Sequence, residues 1–235
     1  MEILKLLSTI DVPISAARIQ GELNLPRSST YHLLAEMVDA GFVAHLPEHK
    51  TYGLGLAAYS MASAYVTQQP LVRMATRDLE QCAALVGGSG HLSRMAGSEI
   101  LYLQEVRAAG ATSLVTEVGV RLQAHKTASG RVMLAHLPDA EVRAAFDTAG
   151  GSGFAALKKR LSLVAARGWD QEIEEITRGQ ASVAAPILDH LDRPAAAVAV
   201  TYPVGTPDVK VDAAIRALLE VSDKVAAKMY RNRKK

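Results

Sequence analysis

The sequence predicts an α+β protein that begins with a winged helix-turn-helix. Within the first 55 residues, three short helical segments are followed by a pair of strands. A helical stretch rich in small residues then covers 56–69 and ends at Pro70. Beyond that point, apolar runs of strand length alternate with helical segments. We therefore expect a small domain over residues 1–55, a linker helix over 56–70, and a larger domain over 71–235 in which helices cover a sheet.

The helices of the first domain are predicted from local signals. The apolar residues of 3–7 form one face of a helix that ends at the turn 11–13. Ser15 stands at the N-cap of a second helix, and Pro26 at the first position of a third, which runs through Val38. Helical spacing gives the third helix an apolar face of Thr30, Leu33, Leu34, Met37 and Val38. Segments 42–46 and 51–54, joined by 47–50, are typical of a hairpin.

The larger domain is predicted to mix the two kinds of element. Helices are expected over 71–86, 127–136, 139–146, 155–167 and 209–230. Strands are expected over 91–96, 100–106, 113–118, 181–188 and 195–202, with a glycine-rich turn at 87–90. The last two strands are joined through 189–192, which is typical of a hairpin.

The composition is that of an ordinary folded protein. The 235 residues are 49% hydrophobic and 21% charged, which excludes a disordered or collagen-like chain. The single cysteine, Cys82, cannot form an internal disulfide, so a reducing compartment fits. The N-terminus lacks the pattern of an export signal, and no segment approaches the roughly 18 uninterrupted apolar residues of a membrane helix. We expect a cytoplasmic protein with no membrane partner.

Signals for an enzyme are weak. Gly88-Ser89-Gly90 lacks the third glycine of a dinucleotide-binding loop, and the run 87–91 misses the nucleophile-elbow pattern by one position. The seven histidines do not form a metal-binding spacing. Cys82 lies on the apolar face of a helix, as a buried structural cysteine does. We expect no catalytic residues, no metal and no cofactor.

The start of the third helix is the strongest candidate for a binding surface. Residues 27–30 place one cation and three hydroxyls at a helix N-terminus, where backbone N–H groups also favour phosphate oxygens. In a helix-turn-helix such residues meet base edges and phosphates. The expected DNA-binding residues are Arg27, Ser28, Ser29, Thr30, Tyr31 and His32, with His49 and Lys50 in the wing. A winged helix that docks protein or merely packs is the alternative, and a solvated hairpin tip equally explains the wing residues.

Bulk charge does not support DNA binding. The formal net charge is only +2, and the first seventy residues carry four cationic side chains against six acidic ones, hence −2. Cations concentrate instead after Asp223, where a solvated helix end is expected. DNA affinity would therefore depend on local groups and on the presentation of two such helices by a dimer.

Six segments match a known family in order and spacing: ILKLL at 3–7, LPRSSTYHLL at 25–34, AGFV at 40–43, YGLG at 52–55, HKTASGRVMLA at 125–135 and SVAAPI at 182–187. They resemble the IclR-type transcriptional regulators of bacteria. The resemblance implies a winged helix that binds operator DNA, a linker helix that helps to dimerise, and a C-terminal GAF-like domain that binds an effector. It further implies a repressor or activator of catabolic genes, assembled as a homodimer or homotetramer. The implied effector is a small carboxylate, with an aromatic acid as the first expectation.

The resemblance also implies positions for the effector. They are Ala111, Leu114, Ala128, Ser129, Glu172, Gln180, Ser182, Ala199 and Thr201. The N–H groups of residues 128 and 129 would suit a carboxylate, whereas the acidic residue among the nine would repel an anion unless it faces another group. A metabolic enzyme acting on a small carboxylate in the same pocket is the alternative function. The missing nucleophile or metal set argues against it.

Overall fold

Two units make up the chain in the computed structural model, Met1–Gln68 and Gln69–Lys235. The structure describes residues 1–68, 70–112 and 118–231. Leu114 and nearly all of the strand predicted over 113–118 lie outside the described residues. The linker helix belongs to the first unit, and the domain limits at residues 55 and 70 stay predictions.

The first unit combines helices with a small sheet. Its elements are α1 (Glu2–Leu7), β1 (Ile14–Ser15), α2 (Ala16–Leu23), α3 (Arg27–Asp39), β2 (Val43–Leu46), β3 (Thr51–Leu54) and α4 (Leu56–Gln68). The three helices and the hairpin are those that the sequence predicts. The two-residue β1 is an addition: it pairs antiparallel with β3 and gives the strand order β1-β3-β2. This arrangement is a winged helix-turn-helix.

Local signals explain most helix limits in the first unit. The Ser15 hydroxyl accepts the Arg18 N–H at 3.3 Å, which is the predicted N-cap of α2. Pro26 is itself the N-cap of α3, so that helix begins one residue later than predicted. Leu33 was predicted to face the core but is 39% exposed. The core consists of Ile3, Leu7, Ile14, Ala16, Ile19, Leu34 and Val43.

The second unit is α+β. Its elements are α5 (Pro70–Val86), β4 (Ser89–Ala96), β5 (Glu99–Arg107), β6 (Arg121–Gln123), α6 (Ala128–Leu134), α7 (Asp139–Thr148), α8 (Phe154–Arg167), β7 (Asp170–Ile173), β8 (Gln180–Leu188), β9 (Pro194–Pro203) and α9 (Asp208–Ala226). A 3₁₀ turn, Ala124–Lys126, leads into α6. The sequence predicts neither β6 nor β7, and β4 begins two residues before its predicted start. Cys82 is buried on α5, as predicted.

The six strands form one antiparallel sheet in the order β6-β5-β4-β9-β8-β7. A Cβ at Gly90 would meet the backbone of Leu79 on α5, whereas His91 shares a cavity with Ala128 of α6. Because neighbouring strand residues point to opposite faces, α5 and α6 lie on opposite faces of the sheet. Between the sheet and α6 lies the core that includes Ile100, Val132 and Ala184. Helices thus cover both faces of the sheet, and the unit is GAF-like.

None of the helices in the described ranges combines the length and the apolar character that crossing a membrane would require.

Candidate functional site

The first turn of α3 is an exposed surface of hydrogen-bond donors. Its N-cap, Pro26, makes no side-chain capping bond, so the amides of Arg27, Ser28 and Ser29 have no acceptor within the helix. The guanidinium carbon of Arg27 lies 5.9 Å from the ring centroid of Tyr31, which is 46% exposed. This turn therefore offers a cation, an aromatic ring and unpaired backbone N–H groups on one side.

Seven of the eight predicted DNA contacts are exposed: Arg27, Ser28, Ser29, Tyr31, His32, His49 and Lys50. Thr30 is the exception. It is fully buried, and its hydroxyl donates to the Pro26 carbonyl at 3.0 Å. Because its side chain packs toward the core of the first unit, we no longer expect Thr30 to contact DNA. Its place on the apolar face of α3 already signalled this orientation.

A small cavity lies between the sheet and the start of α6. Seven of the nine predicted effector positions line it: Ala128, Ser129, Glu172, Gln180, Ser182, Ala199 and Thr201. Ala111 is described and is not part of the lining, while Leu114 is outside the described residues. The free volume is about 20 Å³, which accommodates about one water molecule. A larger ligand can bind only if the lining moves.

The start of α6 supplies backbone donors to this cavity. The Thr127 hydroxyl caps the helix by accepting the Gly130 N–H at 2.9 Å. The amides of Ala128 and Ser129 precede the first intrahelical bonds, and both residues line the cavity. A Cβ at Gly130 would lie 2.1 Å from the carbonyl oxygen of Ala124, so glycine permits the close approach of the 3₁₀ turn.

Glu172 is the acidic group of the cavity and is 3% exposed. Burial raises the pKa of its carboxyl, and hydrogen bonds with Ser182 and with the Glu175 N–H partly offset this. The hydroxyls of Ser182 and Thr201 lie 2.9 Å apart on neighbouring strands. No lining residue that the structure describes is a lysine or an arginine. An anion placed beside Glu172 would find no lysine or arginine side chain in the described lining to pair with.

Two family models match this chain. The IclR helix-turn-helix domain matches residues 1–47, and the C-terminal domain of the bacterial transcriptional regulator IclR matches residues 63–227. The chain belongs to the IclR family. It is therefore a DNA-binding transcriptional regulator and not an enzyme.

Relatives of this IclR-family regulator cover nearly its full length. A glycerol operon regulatory protein of Streptomyces griseus is 29% identical over 225 residues, which are 91% of this chain and 89% of that protein. An IclR regulator from Alicyclobacillus acidocaldarius has a TM-score of 0.83 at 21% identity, covering 96% and 95% of the two chains. An IclR homologue from Microbacterium hydrocarbonoxydans, solved with 4-hydroxybenzoate, has a TM-score of 0.79 at 20% identity, covering 97% of each chain. These two structures confirm the fold.

Five lining residues of this IclR-family regulator were not among the predicted positions: His91, Tyr102, Thr127, Ile176 and Thr177. His91 is 1% exposed and meets the Tyr102 ring edge-on, with 5.3 Å between centroids. Neither of its ring nitrogens has a hydrogen-bond partner among the described residues. Burial lowers the pKa of His91 to about 4, so the ring is neutral at pH 7. A histidine within the strand predicted over 91–96 was the one sequence signal for it.

Arg131 links α6 to β7 at the edge of the sheet. It is 1% exposed and forms an ion pair with the fully buried Asp170. Its Nη1 also donates to a Glu175 carboxylate oxygen at 3.0 Å and to the His125 carbonyl at 3.2 Å. Since the Glu175 N–H holds Glu172, this network positions the acidic group of the cavity.

Proposed function

We propose that this IclR-family regulator controls a catabolic operon by binding operator DNA through α3 in response to a small carboxylate, with an aromatic acid as the first candidate. The observation that carries the proposal is the exposed, uncapped first turn of α3. Arg27, Ser28 and Ser29 present their amides and side chains there, next to the ring of Tyr31. Two relatives, a glycerol operon regulatory protein and an IclR homologue solved with 4-hydroxybenzoate, support control by a small metabolite.

In this proposal α3 enters the major groove. Its N-terminal residues, together with His32 one helical turn further on, would contact base edges and phosphates. His49 and Lys50 at the hairpin tip would contact the DNA backbone. Since the first seventy residues carry a formal charge of −2, one unit would bind DNA weakly without sequence preference. A homodimer or homotetramer, formed with the help of α4, would present two such helices to two half-sites.

The effector would bind in the cavity at the start of α6. The amides of Ala128 and Ser129 would hold its carboxylate, and the Ser182 and Thr201 hydroxyls would add neutral donors. Ile176 and Thr177 line the cavity from the connection between β7 and β8, and this connection is the part of the lining that would move to admit the effector. Regulation requires that the effector bind the two DNA-binding states with different affinities.

Fluorescence anisotropy with promoter DNA from the adjacent operon tests this proposal. The full chain is expected to prefer the operator over scrambled DNA of the same length, and its affinity should fall as salt rises. A thermal-shift screen of aromatic and short-chain carboxylates should then find a compound that raises the melting temperature and changes operator affinity. Equal affinity for operator and scrambled DNA would contradict the DNA-binding role. A compound recovered chemically altered after long incubation would point to turnover instead.

A further inference from the structure

A row of buried polar groups runs along one face of β4. Ser89, His91 and Ser93 alternate along the strand, and each is at most 1% exposed. Both serine hydroxyls and both imidazole nitrogens have no hydrogen-bond partner within the described part of the chain. Buried polar groups are normally hydrogen-bonded, so such a row on one strand calls for an explanation.

The strand register places His91 in the effector cavity. On β9, His91 lies opposite Ala199 and Ser89 lies opposite Thr201, and both β9 residues line the cavity. On β5, the neighbouring Tyr102 also lines it and contacts the imidazole ring. The imidazole therefore belongs to the wall of the cavity, where a bound molecule can reach it.

We propose that His91 determines the specificity of the effector cavity by hydrogen-bonding a hydroxyl group of the effector. The site would then select a hydroxylated compound over its deoxygenated analogue. This inference rests on the proposed function, because it assumes that the effector binds in this cavity. It adds His91 to the residues that bind the effector, and it restricts the class of effector from any small carboxylate to a carboxylate that carries a hydroxyl group.

The chemistry of the neutral imidazole supports a hydroxyl. One ring nitrogen donates and the other accepts, and a hydroxyl can pair with whichever of the two faces the cavity, because it both donates and accepts. A carboxylate at this point could only accept, so it could pair with the donor nitrogen alone. A methyl or ring hydrogen would leave both nitrogens unpaired, and a site that loses a buried hydrogen bond in this way rejects the analogue strongly.

The charge of the cavity also favours a hydroxyl group on the effector. Glu172 is the single ionisable carboxyl among the described lining residues, and no lysine or arginine accompanies it. The effector's own carboxylate must therefore lie away from Glu172. The part of the effector that faces Glu172 should be uncharged and able to donate a hydrogen bond, as a hydroxyl is.

Matched compounds test this on the full chain by isothermal titration calorimetry. The pairs are 4-hydroxybenzoate with benzoate, 4-hydroxyphenylacetate with phenylacetate, and lactate with propionate. At least one hydroxylated compound is expected to bind roughly tenfold or more tightly than its partner. His91→Leu should reduce that ratio to within about twofold while leaving the protein folded, since an apolar side chain of similar size replaces an unpaired polar one. His91→Gln, which keeps a donor and an acceptor, should retain part of the discrimination.

A second histidine supplies the control. The Nε2 of His136 is likewise buried without a described partner, but His136 lines a different cavity with Pro186 and Leu219. His136→Leu should leave unchanged the ratio of affinities for the hydroxylated compound and its partner. Failure of every hydroxylated compound to bind, equal affinity within every pair, or full discrimination in His91→Leu would each overturn the inference. Operator binding, measured by anisotropy on the same preparations, reports separately whether the proposed function itself fails.

Discussion

Arg131 on α6 and Asp170 on β7 form an ion pair in which the two side chains are 1% and 0% exposed. Asp170 also accepts a hydrogen bond from Arg167 and forms an ion pair with Arg160, while Arg131 also pairs with Glu175. The guanidiniums thus surround one buried carboxylate and tie α6, α8 and β7 together beside the cavity. Arg131 is the only one of these three arginines that is fully buried, so its removal should cost the most folding free energy.

Replacing Arg131 by methionine should lower the free energy of unfolding by about 3 kcal/mol or more, because a buried carboxylate loses its main partner while methionine keeps much of the volume. Urea denaturation followed by circular dichroism measures this. Arg18→Met is the matched control, since Arg18 lies 3.7 Å from Glu22 in an exposed pair and should cost less than about 1 kcal/mol. Equal losses in the two variants would contradict a structural role for the buried pair.

Two helical glycines should respond in opposite ways to the same substitution. Gly130→Ala forces a Cβ to within 2.1 Å of the Ala124 carbonyl oxygen and should destabilise the fold by about 1–3 kcal/mol. Gly21→Ala meets nothing within 4 Å on α2 and should stabilise it by about 0.5–1 kcal/mol. Melting temperatures of the two variants decide this. An unchanged melting temperature in Gly130→Ala would show that the 3₁₀ turn can move away at no cost.

The helices and hairpins could be predicted because their signals are local. The Ser15 cap and the apolar periods lie within the segments that they define. The strands β1, β6 and β7 could not be predicted, because they are two to four residues long and are defined by their pairing with distant strands. The ion pair of Arg131 and Asp170 joins residues 39 positions apart and leaves no local pattern.

The candidate site was predictable only in part. The family resemblance pointed to seven positions that the structure brings to one cavity, from Ala128 to Thr201. It missed His91 and Tyr102, since their place in the wall depends on how β4 and β5 pair with the rest of the sheet. The sequence predicts Thr30 both on the apolar face of α3 and among the DNA contacts. Because Thr30 is fully buried, it belongs to the apolar face.

Arg27→Ala, Ser29→Ala and Tyr31→Ala should each weaken operator binding without changing the melting temperature by more than a few degrees, because all three side chains are exposed. For Arg27→Ala, the slope of log affinity against log salt should fall by about one if Arg27 contacts a phosphate. Anisotropy titrations at several salt concentrations measure both quantities. Arg216→Ala, which removes an exposed cation from α9 in the other unit, is the control. Parent-like binding by all three α3 variants would show that this helix is not the one that contacts DNA.

Acidification should destabilise the fold through His91. Burial lowers its pKa from 6.5 to about 4, with Glu105 opposing and Arg107 adding to the shift. Between these values the unfolded chain binds a proton that the folded chain does not, so stability falls as pH falls. The contribution of His91 is about 2 kcal/mol between pH 7 and pH 5. Urea denaturation at each pH measures it.

The comparison with His91→Leu isolates this effect from the other buried group of the cavity. Burial raises the pKa of Glu172, so the folded form takes up this proton at a higher pH than the unfolded chain does, and the group stabilises the fold as pH falls. That contribution has the opposite sign and is present in both proteins. The parent should therefore lose about 2 kcal/mol more than His91→Leu between pH 7 and pH 5. Parallel stability curves for the two proteins would mean that the imidazole gains its proton in the folded state as readily as in the unfolded one, which a buried ring without a partner cannot do.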